Sequence, residues 1–147
     1  MEPNSRMPVI CCFLIRAALF VVGTVSHGVI RHIVQTSPLW IAILLGARNS
    51  ALTKWAALPC FVFWLALMTA IWFYLLGWAH LISGTFSPTE IAMTIIVGSG
   101  SVVGIVNAAA SKPLGVRAIA AIATLSLVLA LQIAALRVSL LPQIAHR

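Results

Sequence analysis

Apolar positions in this chain follow neither the alternation of a half-buried strand nor the stripe of a surface helix; they run on almost unbroken. An apolar helix needs about 20 residues to cross the ~30 Å hydrocarbon core of a bilayer. Four stretches reach that length: residues 8–30, 58–79, 88–110 and 118–141. Lipid offers no partner for a free N–H or C=O, so spanning segments of this kind are helices. The pattern therefore predicts an all-α protein, a single transmembrane domain built as a polytopic helical bundle.

The segment 31–54 breaks the pattern. Ser37-Pro38 reads as a fresh helix start, and residues 38–46 are apolar, but nine residues are too few to span a bilayer. Two routes follow. In one, 38–46 is a half-helix beside four crossings, which is the expectation taken forward. In the other, it joins the residues before it into a thin fifth crossing.

Local signals mark the ends of several elements. Ser87-Pro88-Thr89-Glu90 is a capping box, with Ser87 at the N-cap and Glu90 reaching back from the third helical position. Trp55 marks one end of the second long stretch, while Trp72, Tyr74 and Trp78 gather at the other, as interfacial belts do. Gly100, Gly104 and Ala108 recur every four residues, a spacing that lets membrane helices approach closely. In the last stretch Gln132 is the one strong internal polar group, Arg137 reaches the interface and Pro142 stops the helix.

Composition reinforces the pattern. Of 147 residues, 62% are hydrophobic and 7% charged, far below the roughly one quarter that keeps a soluble domain in solution. Nine Lys and Arg stand against two acids, Glu2 and Glu90. The cations are scattered singly at the ends of apolar runs, so no basic patch exists to neutralise a row of phosphates, and nucleic acid is excluded as a partner. They suit orientation in a membrane and contact with anionic lipid headgroups instead. Because cation-bearing loops stay cytoplasmic, the 47–54 and 111–117 loops are expected inside an inner (plasma) membrane. The 80–87 loop, which has no Lys or Arg, and the C-terminus are expected outside. The side of the N-terminus depends on which route 31–54 takes. The first stretch is read as retained, since Arg16 interrupts it and no small-residue cleavage site follows.

Candidate chemistry is sparse. Cys11, Cys12 and Cys60 lie inside apolar runs without metal-ligand spacing and read as small buried hydrophobes, with acylation of the vicinal pair as the alternative. At 100° per residue, Arg16, Gly23 and His27 share one helix face and Arg31 lies close by, a polar face on an apolar helix. An arginine near the bilayer centre costs about 2.5–3.5 kcal/mol by insertion scales, so it faces a cavity, a bundle interior or a partner. Glu90 is the single counter-ion available near the membrane. In the five-crossing route His27, Arg31, His32, His80 and Glu90 all gather at the outer side.

Three function classes follow. The first is a non-catalytic accessory subunit or scaffold that contacts another membrane protein, a second copy of itself or anionic lipid. The second is a b-type haem or quinone protein, with His27, His32 and His80 as candidate ligands if two of them meet at one depth. The third is a small anion transporter or channel using the Arg16–His27–Arg31 face. With no Asp, one usable Glu, and no HExxH, CxxC or Ser-His-acid set, an enzyme is not expected, nor is a metal site.

Overall fold

A computed structural model describes residues 3–79, 84–111 and 115–145 of the chain. The described residues form seven helices: α1 (Pro3–Val25), α2 (Val29–Thr36), α3 (Leu39–Ala47), α4 (Thr53–Leu75), α5 (Pro88–Ala110), α6 (Ala118–Ser139) and α7 (Pro142–Ala145). The protein is an all-α bundle, and no strand occurs among the described residues. Within α1, and in α4, α5 and α6, the apolar segment is long enough to cross a membrane; α2 and α3 together form a bent pair that also meets the length, with 53° between its halves.

Several boundaries move from the sequence expectation. The first helix ends at Val25, five residues before residue 30. His27 adopts a positive φ of 56°, and the Gly28 amide donates to the Gly23 carbonyl at 2.9 Å. That bond across a left-handed residue closes the helix as a Schellman motif, with a histidine where glycine is usual. Asn49 (φ 52°) ends α3 and Gly77 (φ 71°) ends α4 in the same way, through Ser50 N–H to Leu45 and Trp78 N–H to Phe73. The second long helix starts at Thr53 and stops at Leu75, so the window 58–79 is shifted towards the N-terminus by about one turn. Pro142 does more than stop α6, for it opens the short α7.

The capping box at α5 is formed as the sequence implies. Ser87 Oγ accepts from the Glu90 amide at 3.3 Å, and Glu90 Oε2 accepts from the Ser87 amide at 2.7 Å and from its hydroxyl at 2.8 Å.

Contacts between glycines and their neighbours fix the direction of each helix. A Cβ on Gly46, at the end of α3, would meet Val9 near the start of α1 and Thr53 at the start of α4. At the opposite end, Gly23 lies against Val29 and His32 at the start of α2. The α2–α3 pair therefore carries the chain back along the whole of α1, and α4 sets out from the end where α1 began. Lys54 Nζ donates to the Ser111 carbonyl, which places the end of α5 beside the start of α4. Successive passes are thus antiparallel, and α1 and α4 run parallel.

The small residues of α5 are spent inside the bundle. Gly100 faces Leu14 and Ile15 of α1, while a Cβ on Gly104 would stand 2.5–2.7 Å from the ring of Phe61 on α4. Ala108 is buried with them. The core gathers Cys12, Ile15, Leu39, Ala57, Cys60, Phe61, Trp64 and Val97, so all three cysteines, Cys11 included, are buried side chains. Among the four long helices, α6 is the least buried; Ile119, Ile122 and Leu127 are each at least 60% exposed.

A candidate ligand-binding cavity

The bend between α2 and α3 organises the polar residues of the bundle. Pro38 has no N–H to return to Val34, and the Trp40 and Ile41 amides bond to Ser37 and Pro38 instead of reaching back a full turn. Carbonyls at the end of α2 are thereby released from the helical ladder, in a place where water is scarce. Val34 still accepts from the Ser37 amide at 3.2 Å, whereas the Gln35 and Thr36 carbonyls take side-chain donors from other helices. Gln132 Nε2, from α6, donates to the Gln35 carbonyl at 3.0 Å. Arg16 Nη1, from α1, donates to the Thr36 carbonyl at 3.3 Å and to Thr36 Oγ1 at 3.0 Å. Ser37 Oγ donates to the Val34 carbonyl at 2.8 Å. The Arg16 guanidinium also lies over the Trp40 ring, 4.5 Å from its centroid. Gln35 completes the network by donating to Ser139 Oγ at 3.0 Å.

Arg16 is therefore a structural group, and the polar face drawn on the first helix does not persist. His27 sits exposed on the α1–α2 turn, and Arg31 belongs to α2, a separate helix. A shared face at 100° per residue requires an unbroken helix through residue 31, and the left-handed His27 ends α1 before it.

A cavity of about 290 Å³ lies at the end of the bundle where α1 and α4 finish and α5 begins. Its walls are apolar, including Leu19, Leu67, Met68 and Ile71. Its polar side chains include Arg31, His32 and Gln35 from α2, Glu90 and Thr94 from α5, and Trp64 from α4, with Ser26 and Thr85 from the turns. His32 Nδ1 donates to the Gly28 carbonyl at 2.9 Å, which holds the ring. Glu90 is held by Ser87 on one carboxylate oxygen only. Arg31 makes no hydrogen bond or ion pair among the described residues, and its Nε is buried without an acceptor. Trp64 Nε1 is likewise buried without one.

Of the residues singled out in the sequence, the fold brings Arg31, His32 and Glu90 to this cavity and leaves Arg16 and His27 outside it. His80, a candidate haem ligand, lies outside the described residues. The two described histidines of that set do not share the cavity, and no group of three or more His, Cys, Asp or Glu among the described residues is placed to hold a metal. Trp64 and Gln35 were missed, since a tryptophan on an apolar stripe and a glutamine in a short segment carry no mark of the cavity they line.

Comparison with known protein families, curated proteins and solved structures finds no match for this chain.

Proposed function

We propose that this chain is a non-catalytic, multi-pass protein of the inner membrane, an accessory subunit or scaffold that holds the anionic group of a membrane amphiphile in the α2–α4–α5 cavity. The observation that carries this reading is Arg31, a cation without a partner among the described residues in an apolar-walled cavity at one end of the bundle. An ionisable group in such a place is costly unless something pairs with it, and a phosphate or carboxylate suits the planar guanidinium. The exposed apolar face of α6 supports contact with a second membrane protein as well as with lipid.

Protein purified in mild detergent is expected to retain about one phosphate-bearing lipid per chain, read by native mass spectrometry. Arg31→Gln is expected to lower that retention at least tenfold. Wild-type protein that carries no lipid, or a variant that carries as much as wild type, would overturn the proposal.

The route of the chain supports five crossings. Among the described residues, Arg6, Arg48, Lys54 and Arg117 then share one end of the bundle, against Arg31 and Arg137 at the other, which favours the first end as cytoplasmic. Cysteines introduced at Met7 and Asn49 are expected to resist an impermeant thiol reagent in intact cells, while one at Thr85 reacts. Labelling of Met7→Cys from outside would restore the four-crossing route. The native thiols are buried and give little background.

A further inference from the structure

The cavity holds two opposite charges that do not meet. Arg31 and Glu90 both line it, yet no ion pair joins them. Each side chain has a reason to stay where it is. The Glu90 carboxylate is fastened by two hydrogen bonds from Ser87 to Oε2, and the first turn of α5 favours negative charge there. Neither bond uses Oε1. Arg31 is anchored on α2, whose end is tied to α1 and α6 by Arg16 and Gln132. Cation and anion thus line one cavity without forming an ion pair, and the same cavity reaches Trp64, 1% exposed, with its Nε1 unsatisfied.

Resting on the reading above, we propose that the ligand is zwitterionic: an acidic oxyanion taken by Arg31 and an ammonium group taken by Glu90, as in a phosphoethanolamine headgroup. A simple anion would neutralise Arg31 but place a second negative charge in the space that Glu90 lines. A ligand carrying both charges satisfies the two side chains at once and keeps the cavity neutral. Trp64 Nε1 supplies a further donor, suited to an ester or phosphate oxygen. A volume of about 290 Å³ is near the lower end of small-molecule pockets, ~300–1,000 Å³, and so fits a polar head and its first carbons rather than a whole two-chain lipid. The same chemistry is offered by a lipid headgroup and by free phosphoethanolamine.

The test is a lipid titration of delipidated full-length protein, read by native mass spectrometry. Phosphatidylethanolamine and phosphatidylglycerol with identical acyl chains are compared, with O-phosphoethanolamine as a soluble competitor. Wild type is expected to prefer phosphatidylethanolamine at least tenfold. Glu90→Gln, whose amide oxygen can still serve the capping box, is expected to bring the two lipids within about twofold. Displacement of the lipid by equimolar O-phosphoethanolamine would support the zwitterionic site and identify a free molecule as its source; failure to displace, with the tenfold preference intact, supports the lipid. Equal binding of both lipids by wild type overturns the zwitterionic assignment and leaves the anionic-headgroup function standing. Binding of neither overturns both.

Discussion

Gly104→Leu is expected to abolish the folded bundle, leaving no monodisperse peak on size-exclusion chromatography in mild detergent. The cause is local and steric. Even the Cβ of an alanine would stand 2.5–2.7 Å from three atoms of the Phe61 ring, and Phe61 is wholly buried. The ring has no exposed space to turn into. Overpacking of a dense interior costs about 1–3 kcal/mol for small insertions, so Gly104→Ala is expected to lower the unfolding temperature without preventing folding. Leucine adds three more carbons at the same place. The cause is checked by pairing Gly104→Ala with Phe61→Leu, which removes ring atoms opposite the new methyl. The double variant is expected to be more stable than the sum of the two single effects allows, with a coupling of about 0.5–3 kcal/mol in thermal unfolding. Additive losses would show that the α4–α5 contact at Gly104 is not what limits the site.

The second large effect concerns the bend. Gln132→Leu removes the donor that serves the Gln35 carbonyl, and the loss is expected to cost about 1–2 kcal/mol, since a released backbone carbonyl is left unpaired within the bundle. Arg16→Met is expected to be milder in net effect. It strips the Thr36 carbonyl of its donor but relieves the ~2.5–3.5 kcal/mol insertion cost of a membrane arginine. Both requirements trace to Pro38. In a Pro38→Ala background residue 38 regains an N–H, a continuous helix can use the carbonyls of residues 34–36, and Gln132→Leu is expected to cost under about 0.5 kcal/mol. The comparison is a double-mutant cycle read by thermal unfolding. An unchanged cost in the alanine background would mean that Gln132 acts through its contacts on α6 and not by repairing the bend.

These two sites show how unevenly the sequence speaks. The small-residue spacing of Gly100, Gly104 and Ala108 announces a close approach of helices, but not that the approach is to Ile15 and Phe61 of the same chain. Gln132 and Arg16 stand out as polar groups in apolar helices, and their partners are carbonyls that carry no sequence signature. Backbone groups are the same in every residue, so which of them are left free depends on where a helix breaks.

Sequence alone determined that this chain is helical and apolar enough for a bilayer, where its long helices run to within about five residues, how α5 is capped, and which loops carry cations. Those features are local: hydrocarbon thickness sets length, proline and serine set helix starts, and loop charge is counted from single residues. Tertiary structure decided the rest. The left-handed turn at His27 took Arg31 off the first helix, and the antiparallel return of α2–α3 put α1 and α4 in parallel. The same return brought Arg31 and His32 over to Glu90, some 60 residues away along the chain. A helix face is periodic and can be read in a window of residues; a cavity is assembled from several faces at once, and its charges are neighbours only after packing has fixed the depth and rotation of every helix.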